Sequence, residues 1–290
     1  MDFSAKNRYA NSPRNPDYTI DQMWDTYSDA EHDRWNRLCQ RQAEVLPGRA
    51  DDVFLNGLEA LDIVGTGIPD MEKLSDKLEA ITGWRIVPVV DLVPDDIFFE
   101  HLANRRFPAG AFIRPEQEFD YIQEPDIFHD IYGHVPMLTN PIFAEFVEAY
   151  GKGGMRALEL GQLPNLARLY WYTVEFGLIN SPDGQRIYGA GILSSPMESV
   201  FCLEDTSPHK IQLDVQRLMS TNYIIDDFQK TYFVIDSFEQ LLEDCYADFG
   251  KLYEDTKDVK PIEPHEILPS DDLLQHGSLT YFTNRQKEAV

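Results

Sequence analysis

The sequence predicts a mainly α-helical fold with a few short β-strands, and three observations support this fold class. Apolar residues recur at helical spacing over most of the chain, and only short stretches look extended. A hydrophobic content of 43% over 290 residues is enough to bury one large core. No repeat and no linker divides the chain. We therefore expect an arm over residues 1–19, one domain over 20–268 and a tail over 269–290.

The first half of the chain has the pattern of helices separated by turns that contain proline and glycine. Residues 84–90 have an extended character, and residues 107–114 resemble a strand that enters a loop. The predicted helices cover residues 19–45, 50–63, 71–82 and a short segment that begins near Pro94.

The second half continues with helices and one hairpin. Pro182, Asp183 and Gly184 predict a turn at the centre of residues 180–188. Asp236 and Glu239 have the spacing of a capping box, which predicts the start of an amphipathic helix. The other predicted helices cover residues 125–134, 141–150 and 162–179.

The charge of the chain disfavours two classes of partner. Acidic residues outnumber basic residues by 50 to 25, which gives a formal net charge of -25. Such a surface repels phosphate backbones and anionic lipids. We therefore expect neither a nucleic-acid partner nor a membrane partner.

Cysteine usage indicates a reducing compartment. Cys39, Cys202 and Cys245 are far apart, odd in number and form no CxxC pair. This pattern favours neither a disulfide framework nor a thiolate zinc site. The sequence shows no secretory signal and no run of about 18 apolar residues. We expect a cytoplasmic protein.

Two histidines lie close together among large apolar residues. His129 and His134 are five residues apart, which places their side chains roughly 140° apart on a regular α-helix. One metal ion could bind both only if the helix unwinds locally, which Gly133 and Pro136 would allow. The spacing alone is also compatible with ordinary polar residues on a helix.

A single carboxylate interrupts a long apolar run downstream. Glu175 is the only charged residue between Tyr170 and Leu178, and its burial without compensation would cost several kcal/mol. It could point to solvent or pair with Arg168. It could also neutralise a cation that the two histidines hold.

Two imidazoles and one carboxylate form the facial triad that holds Fe(II) and leaves coordination positions open. Two other classes of protein remain possible on these residues. One is a zinc-dependent hydrolase that uses the same three ligands. The other is an acidic interaction protein in which His129, His134 and Glu175 are merely structural.

Three segments resemble the pterin-dependent aromatic amino acid hydroxylases. Residues 129–137, HDIYGHVPM, resemble the iron-binding signature of that family. Residues 171–178, WYTVEFGL, resemble the segment that carries its third ligand, and residues 188–195, YGAGILSS, resemble a loop of its substrate site. The segments occur in the family's order, and the resemblance extends over about residues 20–260.

The resemblance implies a single catalytic domain of this hydroxylase type, with His129, His134 and Glu175 as the iron ligands. It also implies that Arg114 binds the substrate carboxylate, for which the paired donors of a guanidinium are suited. The other residues that it assigns to the amino acid substrate are Trp171, Phe176, Gly191, Ser194, Ser195 and Ile225.

The family's second cofactor is a tetrahydropterin, and the resemblance implies a site for it. Phe98 would stack on the pterin ring, and the loop around Val93 would hydrogen-bond its edge through the backbone. The remaining positions that match the pterin site are Asp130, Ala167 and Tyr170.

The implied reaction is hydroxylation of L-phenylalanine to L-tyrosine with Fe(II), tetrahydropterin and dioxygen. Ile225 stands where the tyrosine-specific branch is expected to place a carboxylate, so we favour phenylalanine as substrate. One apolar contact discriminates by only about 1–3 kcal/mol, and tryptophan remains an alternative. The C-terminal tail has no heptad pattern, and we expect a monomer.

Overall fold

The protein is described here by a computed structural model that covers residues 8–9, 11–120, 122, 124–246 and 249–288. Eight residues of the predicted N-terminal arm, 1–7 and 10, lie outside these residues. Within the arm, Tyr9 is buried and its hydroxyl donates to the backbone carbonyl of Gln22. This part of the arm therefore packs on the domain.

Helices dominate the structure, which confirms the predicted fold class. The first half contains α1 (Asp29–Val45), α2 (Asp52–Leu61), α3 (Met71–Thr82), α4 (Asp95–Ala103) and α5 (Pro141–Leu160). The second half contains α6 (Leu163–Tyr170), α7 (Ala190–Leu193), α8 (Pro196–Glu204), α9 (Val215–Met219), α10 (Phe238–Tyr246), α11 (Phe249–Thr256) and α12 (Thr280–Glu288).

The strands form two small sheets. A parallel pair joins β1 (Arg85–Val89) and β2 (Arg106–Gly110), with α4 as the connection. The second sheet has the strand order β4-β3-β6-β5-β7, with parallel pairs at its centre and antiparallel pairs at both edges. Its strands are β3 (Leu178–Ser181), β4 (Gly184–Ile187), β5 (His209–Gln212), β6 (Thr231–Ile235) and β7 (Leu273–Gln275).

Hydrogen-bonding side chains set helix starts that periodicity does not reveal. The first helix was predicted from residue 19 but begins at Asp29, because Ser28 and Glu31 form a capping box there. The predicted Asp236–Glu239 box is wrong. Ser237 Oγ accepts from the backbone N–H of Gln240 instead, and Asp236 accepts from the side chain of Asn180.

Two other predicted helices differ from the structure in length. The helix predicted over residues 141–150 continues to Leu160, although it contains three glycines. The helix predicted over residues 162–179 ends at Tyr170, and a π-helical turn over Trp171–Glu175 and then β3 follow. The π-helical turn and the strand after it place Glu175 at the end of a helical segment, where its side chain can contact other elements.

One hydrophobic core connects most of the chain. It contains buried residues from Tyr27 to Phe282, so the first helix and the last share it. All three cysteines are buried and free, and burial raises the pKa of Cys39 to about 12. Among the described helices, none has the length and apolar character needed to cross a membrane.

The predicted C-terminal tail contains regular structure. β7 pairs with β5 at the edge of the larger sheet. Helix α12 packs beside α8, and its Tyr281 hydroxyl and Arg285 guanidinium both donate to Asp227. The tail therefore holds the segment that joins α9 to β6.

Candidate metal centre

Both segments that carry the predicted metal ligands are π-helical. Phe128–His134 and Trp171–Glu175 each form a π-helical turn. In a π-helix the backbone hydrogen bond joins residues i and i+5, so side chains five residues apart come to the same face. This geometry provides the local unwinding that the spacing of His129 and His134 requires.

The three predicted ligands meet at one point. His134 Nε2 lies 3.2 Å from His129 Nε2 and 3.2 Å from Glu175 Oε1, and His129 Nε2 lies 3.5 Å from Glu175 Oε2. Ligands that share one metal ion at about 2.1 Å are separated by roughly 3 Å, so the triangle fits a single ion. Two imidazole lone pairs directed at each other are repulsive unless a cation lies between them.

A serine fixes which nitrogen of His129 faces this point. Ser194 Oγ donates to the backbone carbonyl of Ala190, and it therefore accepts from the Nδ1–H of His129 at 2.9 Å. The Nε2 lone pair is then directed at Glu175. Such an outer partner orients a ligating histidine and fixes its tautomer.

The electrostatics keep Glu175 ionised. Burial raises the pKa of Glu175, but His134 and His129 lower it more, so the pKa of this carboxyl lies well below its usual range. Glu175 does not pair with Arg168, whose guanidinium donates to Asn165, Asn222 and the carbonyl of Met219. The alternative pairing considered for Glu175 is therefore wrong.

Arg114 lies beside this centre, but a neighbouring carboxylate already binds part of its guanidinium. Its Nε and Nη2 donate to the two carboxylate oxygens of Asp126 at 2.9 and 2.8 Å. Asp126 is fully buried and also accepts from the backbone N–H of His129. Asp126 thus fixes Arg114 relative to His129 through its Nε and Nη2 atoms.

Aromatic rings follow the second π-turn. Trp171 packs on Phe176 with centroids 4.9 Å apart and stacks on Tyr223 at 4.4 Å. We call Trp171, Phe176 and Tyr223 the aromatic wall. Because Glu175 stands between Trp171 and Phe176 in the chain, this wall adjoins the ligand set.

The predicted pterin residues come from separate elements, and two of them, Phe98 and Tyr170, contact each other. Phe98 of α4 contacts Tyr170 at 5.8 Å, and Tyr170 stacks near His134 at 6.2 Å. Ala167 is half-buried on α6, one turn before Tyr170, and Val93 is half-buried in the loop before α4. The rings of Phe98, Tyr170 and His134 therefore form one connected group.

Asp130 accepts a hydrogen bond from the backbone N–H of Gly110 at 2.7 Å. Burial raises the pKa of Asp130 to about 6, against the opposing effects of His129 and His134. This carboxyl therefore joins β2 to the π-turn that carries both histidines.

The remaining predicted residues lie at different distances from the ligand set. A Cβ atom on Gly191 would lie 3.2 Å from Glu175 Oε2, so glycine permits the close approach of this loop. Ser195 caps α8 by accepting from the backbone N–H of Glu198. Ile225 is 67% exposed and lines a cavity of about 590 Å³ with Tyr223.

Sequence reasoning assigned no role to three residues of this region. Asp126 lies beside the histidine motif, and a buried acid twelve residues from Arg114 was a usable signal. Tyr223 lies two residues before Ile225, and its stacking on Trp171 has no sequence signal. The Gln229 side chain accepts a hydrogen bond from Trp171 and donates one to the carbonyl of Ile224. No sequence pattern indicates these contacts.

The two histidines and one carboxylate form a group that could hold a single metal ion. A sequence model described as biopterin-dependent aromatic amino acid hydroxylase matches residues 17–255. The chain belongs to this family.

Relatives of known name support the same assignment. The chain is 59% identical to phenylalanine-4-hydroxylase of Caulobacter vibrioides over 268 residues, which cover 92% of this chain and 91% of that one. It is 56% identical to phenylalanine-4-hydroxylase of Chromobacterium violaceum over 261 residues, which cover 90% and 88%.

Solved structures agree with the sequence comparison. The iron- and phenylalanine-bound phenylalanine hydroxylase of Chromobacterium violaceum matches with a TM-score of 0.89 at 53% identity. The match covers 94% of this chain and 100% of that chain. The cobalt-bound structure of the same enzyme matches with a TM-score of 0.91.

Proposed function

We propose that this protein is a monooxygenase that hydroxylates L-phenylalanine to L-tyrosine with non-haem Fe(II), a tetrahydropterin and dioxygen. The observation that carries the proposal is the convergence of His129, His134 and Glu175 on one point in a chain of this family. The names of the relatives at 59% and 56% identity support phenylalanine as the substrate.

The ligand set suits Fe(II), because two neutral imidazoles and one carboxylate leave coordination positions open. His129, His134 and Glu175 would hold the iron, with Ser194 orienting His129. When bound, the iron and the pterin supply the activation of dioxygen and the oxygen transfer to the ring.

The substrate would be held at both ends. Nη1 of Arg114 would bind its carboxylate, while Asp126 keeps the guanidinium in place. Trp171 and Phe176 would contact the substrate ring and keep water away from it. The other residues that we assign to this site are Gly191, Ser194, Ser195 and Ile225.

The pterin would lie against Phe98, which presents an aromatic face beside Tyr170. The backbone around Val93 would hydrogen-bond the edge of the pterin. Asp130 and Ala167 complete the residues that we assign to the pterin site. The grouping of Phe98, Tyr170 and His134 supports this placement, since it brings the pterin face to the metal ligands.

The rival functions have less support. A zinc hydrolase could use the same ligands, but the named relatives are phenylalanine hydroxylases. Tryptophan hydroxylation has no specific observation in its favour. We further propose a cytoplasmic monomer without nucleic-acid or membrane partners. Three free, buried thiols and the charge of -25 support this proposal.

The decisive experiment is anaerobic reconstitution with Fe(II), followed by tetrahydropterin, oxygen and phenylalanine. We expect stoichiometric iron and tyrosine as product. Glu175→Gln should lose iron by more than ~100-fold in affinity, since loss of an outer partner alone costs about 10–100-fold. Glu148→Gln is a matched control, because Glu148 lies on α5, away from the ligand set, and pairs with Arg105 and Lys152.

Two results would contradict the proposal. One is folded, iron-loaded protein that forms no tyrosine. The other is zinc-dependent activity without pterin-dependent oxygen consumption, which would support the hydrolase.

A further inference from the structure

The segment between α9 and β6 contributes Tyr223 to the aromatic wall. Tyr223 stacks on Trp171 with the ring planes 17° apart, and Ile225 follows two residues later. This segment has no helix or strand between Thr221 and Lys230. Its position therefore depends on side-chain hydrogen bonds and packing.

Gln229 provides several of these hydrogen bonds with one amide group. Its Oε1 accepts from the indole Nε1–H of Trp171 at 3.1 Å and from the backbone N–H of Ile224 at 3.2 Å. Its Nε2 donates to the carbonyl of Ile224 at 2.7 Å. The side chain is 1% exposed, so water cannot replace these bonds without a local opening.

Glu198 fixes Gln229 from the other side. Its Oε1 accepts from the backbone N–H of Gln229 at 3.3 Å and from the hydroxyl of Tyr232 at 2.7 Å. Glu198 lies on α8, directly after the loop that contains Ser194 and Ser195. The chain of contacts therefore connects that loop to Trp171 through Gln229.

We propose that Gln229 is a positioning residue for the amino acid substrate, acting through Trp171 and Ile224. The inference rests on the proposed function, because it assigns the aromatic wall to the substrate ring. The amide holds the indole in its plane and ties the backbone of Ile224, next to Ile225, to the wall. It sets the width of the ring site without touching the substrate.

A purely structural role for Gln229 would affect stability but not substrate binding. A second buried glutamine, Gln22, serves as the matched control that separates the two roles. Gln22 is also buried, and its amide likewise accepts from a backbone N–H, that of Met71, and donates to a backbone carbonyl, that of Pro69. It lies near the N-terminus and contacts none of the proposed site residues. Loss of either amide should cost similar stability.

The test compares Gln229→Met with Gln22→Met in the iron-loaded enzyme. For Gln229→Met we expect the KM for phenylalanine to rise about tenfold, kcat to change less than about threefold and iron content to stay the same. Phenylalanine affinity measured by calorimetry should fall in parallel. Gln22→Met should lower the urea midpoint with an unchanged KM.

Two further variants sharpen the test. In a Trp171→Phe background, which removes the indole N–H, Gln229→Met should raise KM by a smaller factor, because the two residues are coupled. Should Gln229→Met not fold, Gln229→Glu keeps the shape and the acceptor but loses the donor to Ile224. We expect a KM increase in the same direction.

Equal KM values for both glutamine variants and the wild type would overturn the positioning role. An additive effect in the Trp171→Phe background would overturn its route through the indole. Failure of the wild-type enzyme to form tyrosine would instead contradict the proposed function, so the two failures can be told apart.

Discussion

At the scale of single residues, the proposed metal centre depends on side chains outside the ligand set. Ser194 orients His129, and Asp126 fixes both Arg114 and the backbone N–H of His129. These outer groups keep donor atoms directed at one point before any ion arrives. Preorganisation of this kind lowers the free-energy cost of binding.

Ser194→Ala tests this outer contact. The variant removes the acceptor for the Nδ1–H of His129, and we expect iron affinity to fall about tenfold, in the range found for outer partners. Titration with Fe(II) under anaerobic conditions measures the effect. Ser199→Ala is the control, since Ser199 is equally buried but donates only to backbone carbonyls. Equal iron affinity in all three proteins would refute the role of Ser194.

The sequence predicts three candidate ligands, which the structure brings together, but not the contacts that orient them. His129, His134 and Glu175 are identified by residue type and motif, which are local properties. The partners of Arg114 and Trp171 lie in distant or irregular segments, as Gln229 shows with its separation of 58 residues from Trp171. Such contacts depend on packing that periodicity does not encode.

At the scale of elements, two π-turns carry the proposed metal ligands. A regular helix over residues 125–134, as predicted, would direct His129 and His134 to different faces. The wider turn brings them together, at the expense of regular backbone hydrogen bonding. Sequence periodicity cannot distinguish a π-turn from an α-helix over so few residues. The family motif therefore predicted the proximity of His129 and His134 better than the predicted regular helix did.

Close packing of α4 on α5 positions the pterin side of the site. A Cβ atom on Gly151 of α5 would lie 2.4 Å from the backbone nitrogen of Ala103 and 2.7 Å from Leu102 Cβ. Because the neighbouring atoms include backbone, they cannot move aside independently. Glycine at this position therefore permits the contact that places Phe98.

Gly151→Ala should therefore destabilise the protein. Alanine gains up to about 1 kcal/mol in helix propensity, but overpacking against backbone costs about 1–3 kcal/mol, and we expect a net loss. The KM for the pterin should rise as α4 shifts. Urea unfolding and steady-state kinetics measure the two effects. Lys152→Ala, at the next and exposed position, should change stability by less than about 0.5 kcal/mol. A Gly151→Ala protein as stable as the wild type would show that α4 can adjust.

At the scale of the whole molecule, one buried acid gives the stability a distinct pH dependence. Burial raises the pKa of Glu198 to about 7, with Asp227 adding to the shift while Tyr232 and Gln229 oppose it. The folded protein thus binds a proton that the unfolded chain releases near pH 4.5. This contribution to stability is complete below about pH 4.5 and is lost as the pH rises through 7.

Glu198→Gln should remove this dependence. Relative to the wild type, the variant should gain up to about 3 kcal/mol in unfolding free energy between pH 5 and pH 8. Urea denaturation at both pH values measures the difference. Glu204→Gln on the same helix is the control, because Glu204 is 54% exposed and pairs with Arg49. The same difference between variant and wild type at both pH values would disprove the assignment.

The C-terminal residues affect the order in which the site can form during synthesis. All three metal ligands precede β7 and α12 in the chain, yet Tyr281 and Arg285 hold Asp227, two residues after Ile225. The proposed metal ligands are thus synthesised before the residues that support the segment around Ile225. Under the proposed roles, metal binding and substrate selection would therefore become possible at different stages of synthesis.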